Sequence, residues 1–141
     1  MENTKISFIG GGNMARSLIG GLLKNGCPAS NITISDPDKL NLSLILKLDP
    51  KLNTTTDNRV AASFGELIVF AVKPQIFPEV LDPLSKVFKK SRPLLLSIAA
   101  GIPIKSIDSW SGGGLAIVRC MPNSPALVAS GAAGLYANNQ A

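Results

Sequence analysis

A chain of 141 residues with 45% hydrophobic side chains has room for one ordinary globular domain and not for a second. It contains no histidine, which removes the usual general base, the usual metal ligand and every Ser–His or Cys–His nucleophile, and so sets hydrolytic chemistry aside. The net charge of +5 suits an anionic small molecule, nucleic acid or anionic lipid equally, so the position of the charges must decide between them.

Lys5 to Ile9 reads as a first strand. Ala15, Leu18, Ile19, Leu22 and Leu23 then recur at helical spacing, and Gly26, just beyond Lys24 and Asn25, supplies a stop. A second strand, Ile32 to Ser35, is followed by Pro37, a residue suited to a first helical turn, and by a leucine-rich segment through Leu48. A weaker third strand falls around Asn53 to Thr56. Leu67 to Val72, almost wholly apolar, has the pattern of a central strand buried on both faces, and it ends at Lys73-Pro74. A helix is expected between Ile76 and Val87, with Pro78 and Pro83 at its start or interrupting it. Leu94 to Ile98 is another buried strand. A short helix near Pro103 to Trp110 precedes the glycine turn Gly112 to Gly114, and Leu115 to Arg119 is a further strand. A proline-rich loop follows from Met121 to Pro125, then a last strand near Ala132 to Tyr136, after which Asn138 and Asn139 could cap another helix.

Strands alternating with helical segments predict an α/β fold, a doubly wound and mainly parallel sheet with helices on both faces. The densest basic stretch, Lys86, Lys89, Lys90 and Arg92 around Phe88, has no nucleic-acid motif about it and reads as solvated cations at a helix C-terminus. No apolar run approaches the ~20 residues of a membrane-spanning helix, and the start lacks the basic-then-apolar pattern of a cleaved signal. Cys27 and Cys120 are far apart and form no CxxC pair, which argues against a disulfide framework or a zinc site; no metal is expected, and a reducing cytoplasm is the simplest compartment.

The most informative segment is Gly10-Gly11-Gly12-Asn13-Met14-Ala15, between the first strand and the first helix. It matches the GxGxxA form of the dinucleotide fingerprint of Rossmann-type folds. Gly10 permits the tight turn, Gly12 lets backbone approach a pyrophosphate, and small Ala15 lets helix pack on strand. The helix N-terminus then offers free N–H groups and positive dipole to phosphates. Asp36 ends the second strand, where such folds place an acidic residue against the adenosine ribose; it serves equally as an N-cap for a helix beginning at Pro37. Lys73, in Ala71-Val72-Lys73-Pro74-Gln75, is placed to approach a phosphate or ribose, or is simply a solvated lysine before a turn proline. Ser97 to Ile102 ends the fifth strand with small residues that would let a flat ring lie close to the backbone. Asn123, between Pro122 and Pro125, is a hydrogen-bonding candidate or a structural turn residue.

Ile9 to Ala15, Ala71 to Gln75, Ser97 to Ile102 and Arg119 to Pro125, in this order and spacing, resemble the signature of pyrroline-5-carboxylate reductases. The resemblance implies NADPH or NADH held by Ile9, Gly10, Gly11, Gly12, Asn13 and Met14, by Asp36 and Asn58, by Ala71, Val72, Lys73 and Pro74, and by Ile98, Ala99 and Ala100. It places Met121, Pro122 and Asn123 on the substrate side and assigns no catalytic side chain. It further implies hydride transfer to the C=N bond of 1-pyrroline-5-carboxylate, giving L-proline, in a homo-oligomer. In that family a second, helical domain builds most of the substrate pocket and the dimer. Residues 1–141 are then the dinucleotide-binding domain alone, expected to bind cofactor without appreciable turnover. Asp36 stands where the family commonly carries a small hydroxyl or a group compatible with a 2′-phosphate, which leans the choice toward NADH. The competing readings are another dehydrogenase of this architecture, acting on arogenate, prephenate or a hydroxyacid, and a non-catalytic dinucleotide-binding module.

Overall fold

The computed structural model describes residues 3–121 and 134–138. Strands β1 (Ile6–Ile9), β2 (Ile32–Ser35), β3 (Asn53–Thr55), β4 (Leu67–Phe70), β5 (Leu94–Ser97), β6 (Ile117–Met121) and β7 (Gly134–Ala137) form one sheet in the order β3-β2-β1-β4-β5-β6-β7. Every neighbouring pair from β3 across to β6 is parallel, and β7 runs antiparallel along β6. The chain winds outward from β1 in one direction, returns to β4 beside β1, and winds outward in the other. This is the doubly wound Rossmann-type order expected from the alternation of elements.

The helices are α1 (Asn13–Lys24), α2 (Lys39–Leu46), α3 (Asn58–Phe64), α4 (Phe77–Leu81), α5 (Ser85–Ser91) and α6 (Ile104–Trp110). They cover both faces because the strands are apolar on both. Ile6 and Phe8 of β1, with Ile32 and Ile34 of β2, pack with Ala15 and Ile19 of α1 and Leu42 and Ile45 of α2. The next residues along the pleat, Ile9 of β1 and Ile68 and Phe70 of β4, join Ala61 and Ala62 of α3, Phe77 of α4, Phe88 of α5 and Ile107 of α6. Phe70 lies 5.4 Å from Phe77 and 6.3 Å edge-on from Phe88 between ring centroids. Phe88 is therefore a core residue, and Lys86, Lys89 and Lys90 around it are exposed on α5, the latter two in its last turn.

Several boundaries differ from the periodicity reading. Helix α3 was not anticipated: it is short, and only Ala61 and Ala62 are buried, so it has almost no apolar stripe. Strand β4 stops at Phe70, two residues before Val72. The single helix expected from Ile76 to Val87 is broken into α4 and α5 by the 3₁₀ turn Asp82–Leu84; Pro78 fits in the first turn of α4, and Pro83 fits in the 3₁₀ turn, where its missing N–H costs nothing. Strand β6 begins at Ile117, beyond Leu115. The Asn138 side chain accepts from Ile117 N–H at 3.0 Å and donates to Leu115 carbonyl at 2.7 Å, tying it to the approach to β6; the residues of the helix it could cap lie outside the described residues. Asn139 lies outside the described residues, as does the loop beyond Met121.

The packing of α3 on β1 leaves no room at its C-terminal end. Ser7 in β1 donates its hydroxyl to Ala61 carbonyl at 2.6 Å, and a Cβ on Gly65 would stand 2.7 Å from Ser7 Oγ and 2.8 Å from Leu67 carbonyl oxygen. Gly65→Ala is expected to lower unfolding free energy by about 1–3 kcal/mol through overpacking, read as an earlier urea midpoint; an unchanged midpoint would show that this contact relaxes freely.

Candidate dinucleotide-binding cleft

Gly10 follows β1 at φ 103°, and a Cβ there would lie 2.5 Å from the carbonyl oxygen of Ala71. Only glycine meets both demands. The close approach follows from the pairing of β1 with β4, which runs on to Ala71, whose N–H donates to Ile9 carbonyl at 2.8 Å, while on the other side Gly10 N–H donates to Ser35 carbonyl of β2, also at 2.8 Å. Gly12 is the N-cap of α1 and supplies no side-chain capping bond, and the first turn of α1 holds no acidic residue. No side chain of the N-cap or first turn thus supplies a carboxylate to the N–H groups that open this helix. A Cβ on Gly12 would meet no protein atom within 4 Å, while Ala15 behind it is fully buried against the sheet.

Asp36, 7% exposed, sits at the end of β2. Its Oδ2 accepts from Gly11 N–H at 2.8 Å and Asn41 Nδ2 at 3.2 Å, and its Oδ1 accepts from Asp38 N–H at 2.8 Å. The N-cap role open to Asp36 in the sequence belongs instead to Asp38, which caps α2 through Leu40 N–H at 2.9 Å. The helix starts at Lys39, two residues later than Pro37 suggested. Asn58, first in α3, accepts a 2.6 Å bond from Ser35 Oγ through its amide oxygen, which turns its NH₂ group away from Ser35.

These elements enclose a cleft of about 460 Å³, within the range of small-molecule sites. Ile9, Gly10 and Gly12 line it from the glycine turn, Ser35, Asp36, Pro37 and Asn41 from the end of β2, and Ala71, Val72 and Lys73 from the end of β4. Thr56 and Asn58 close it beside α3, and Ile76 and Val80 beside α4. Lys73 lines the cleft yet is exposed, in extended backbone before the 3₁₀ turn Pro74–Ile76. Gly11, Asn13, Met14 and Pro74 adjoin the cleft walls in sequence without lining it. Ile98, Ala99 and Ala100 follow β5 on the same edge of the sheet, outside the cleft, with Ile98 N–H bonded to Phe70 carbonyl at 3.2 Å and Ala99 N–H to Ser97 Oγ at 3.2 Å. Met121 ends β6; Pro122 and Asn123 lie outside the described residues.

Sequence reasoning missed Ser35, Asn41, Thr56, Ile76 and Val80, whose places depend on how α2, α3 and α4 return to the sheet. It also missed Arg16, which follows the glycine motif by one helical turn and bonds back to it. Burial pushes the thiols of Cys27 and Cys120 above their ordinary pKa, so neither is a ready thiolate nucleophile. Among the described residues there is no cluster of His, Cys, Asp and Glu able to hold a metal ion, and no helix long and apolar enough to cross a membrane.

Residues 5–101 match the family model described as NADP oxidoreductase, coenzyme F420-dependent. The chain is 44% identical over 140 residues to the pyrroline-5-carboxylate reductase of Pseudomonas aeruginosa, covering 99% of this chain and 50% of that protein. The structure of a pyrroline-5-carboxylate reductase from Coxiella burnetii superimposes with a TM-score of 0.88 at 34% identity, over 98% of this chain and 51% of that one. That of Plasmodium falciparum pyrroline carboxylate reductase, with NADP bound, does so at 0.80 and 30% identity, over 100% of this chain and 50% of the other. The chain spans about half the length of the curated relatives it matches.

Proposed function

The chain belongs to the family described as NADP oxidoreductase, coenzyme F420-dependent, and from that premise we propose that it is the cofactor-binding half of a pyrroline-5-carboxylate reductase, an enzyme of proline biosynthesis. The observation that carries the reading is a match to such reductases over essentially the whole chain, at 44% identity. The geometry supports the cofactor independently, since the uncapped N-terminus of α1 opens between the ends of β1 and β4, the point where the strand order reverses. The glycine turn fits a diphosphate, because Gly12 leaves clear the space that a Cβ would enter.

In this proposal the N–H groups of Gly12, Asn13 and Met14 hold the diphosphate, Asp36 and Asn58 serve the adenosine end, and Ile9 with Ala71, Val72 and Lys73 forms the wall, which Pro74 ends. Gly11 is a frame residue, since its N–H is committed to Asp36. Ile98 to Ala100 border the reactive ring, and Met121, Pro122 and Asn123 the substrate. A nicotinamide dinucleotide held by these residues would supply the hydride for the C=N carbon of 1-pyrroline-5-carboxylate. The protein excludes water from the ring side and fixes the imine's approach, with the imine nitrogen reaching the site protonated or receiving its proton there. The substrate pocket and the homo-oligomer interface belong to a further helical domain. A reducing compartment such as the cytoplasm fits the two unpaired cysteines.

The reaction is tested by a chimera in which this chain replaces the matched half of the Pseudomonas aeruginosa reductase. It should reduce pyrroline-5-carboxylate, and Gly12→Val should weaken dinucleotide binding by about tenfold or more while the domain stays folded, because an added Cβ there meets no protein atom and stands where ligand would lie. A folded chimera that binds cofactor and leaves the imine untouched would assign the chain to a different reaction.

The finer cofactor choice follows from Asp36. A buried carboxylate accepts ribose hydroxyls and opposes a 2′-phosphate of nearly two negative charges, so NADH is the favoured cofactor. Asp36→Ser is expected to shift the NADH-to-NADPH affinity ratio by about tenfold toward NADPH, measured calorimetrically at fixed salt. A ratio already favouring NADPH and unmoved by the substitution would remove Asp36 as a selector.

A further inference from the structure

We propose that Arg16 is a positioning residue for dinucleotide binding: it locks the peptide plane between Gly11 and Gly12 and so aims the Gly12 N–H into the cleft. The proposal rests on the reading of this cleft as a dinucleotide site. Arg16 reaches back from the second turn of α1, and its Nη1 donates to the Gly11 carbonyl at 3.0 Å. Its Nη2 donates to the side-chain oxygen of Asn13, the first residue of the helix. One guanidinium thus ties the residue before the N-cap to the residue after it, and its planar fork holds both bonds in a fixed relative geometry.

The consequence comes from peptide planarity. The Gly11 carbonyl and the Gly12 N–H belong to a single trans peptide and point in opposite directions, so a carbonyl held toward Arg16 fixes where the N–H points. The preceding peptide is fixed separately, because its N–H, on Gly11, donates to Asp36 at 2.8 Å. A carboxylate and a guanidinium therefore grip the two peptides that flank Gly11, each through a charge-assisted bond. Three consecutive glycines need this. Without side chains, Gly10 to Gly12 have a wide choice of backbone conformations, and any entropy not removed by the fold is lost when ligand binds. Asp36 is held in turn by Asp38 N–H and Asn41, so the clamp is anchored in α2 on one side and α1 on the other.

The rival role for Arg16 is direct contact with the ligand's phosphates. Arg16→Met and Arg16→Lys separate the two when the ligand-free protein is examined by ¹⁵N relaxation and the binding of NADH and NADPH by calorimetry. In Arg16→Met the order parameter of the Gly12 amide should fall from the rigid range near ~0.85 toward ~0.6 before any ligand is added. Both dinucleotides should weaken by about tenfold, with the thermal midpoint unchanged. Arg16→Lys keeps the charge and a donor nitrogen without the planar fork and should recover part of both effects. Weakened binding with an unaltered Gly12 order parameter would overturn the proposal in favour of direct contact, and unchanged binding in Arg16→Met would overturn any role. If the unsubstituted protein binds neither dinucleotide, the cofactor reading itself fails, and this role falls with it, an outcome distinct from the other two.

Discussion

The first strand leaves the sheet through a gap that admits no side chain. At Gly10 a Cβ would stand 2.5 Å from the Ala71 carbonyl oxygen, because the pairing of β4 with β1 runs on to Ala71, whose N–H donates to the Ile9 carbonyl. The chain turns there at φ 103° and enters α1 at once, so the N-terminus of that helix faces the opening between two strands whose connections depart to opposite sides. The cleft is a product of this topology. Its walls are whatever residues end β1, β2 and β4 and begin α3 and α4, and its one strong polar asset is the unpaired backbone of α1.

Charge is distributed in keeping with that arrangement. The chain carries a net +5, but Lys86, Lys89 and Lys90 are exposed on α5, away from the cleft, whose lining includes Lys73 as its cationic side chain. Beside Lys73, and with Arg16 bonded back to Gly11 and Asn13, the start of α1 presents oriented peptide groups that are already in place and need no reorganisation to meet an anion. The acid nearest to them, Asp36, is bound to Gly11 N–H, Asp38 N–H and Asn41, so its charge braces the turn without capping the helix.

Much of this was legible in the sequence because it is local. The strand Ile32–Ser35 has the predicted limits, the glycine turn has the expected strand before it and helix after it, and the spacing to Asp36 put an acid at the end of β2. What was not legible depends on contacts between distant segments. Asp36 and Asp38 both satisfy the local rule for an N-cap, and the choice between them is made by Gly11, far away in the chain. Helix α3 has little intrinsic signal; Asp57 starts it by accepting from Arg59 N–H at 2.9 Å, and two buried alanines hold it against β1. Pro78 and Pro83 announced an irregularity, and its form, two short helices about a 3₁₀ turn, is set by burial of Phe77, Leu81, Leu84 and Phe88 in one core. Arg16 and Asn41 carry no motif; their roles appear only once the turn they brace has been folded.

In the proposed function a nicotinamide dinucleotide binds in the opening between β1 and β4, gripped by the N-terminal amides of α1. Amide chemical-shift mapping of the protein titrated with NADH and with NADPH tests it most directly. Saturable shifts are expected at Gly12, Asn13, Met14, Asn58, Val72 and Lys73, with Lys86, Lys89 and Lys90 unmoved. Saturable shifts centred on the α5 lysines, or none at either site at millimolar dinucleotide, would contradict it.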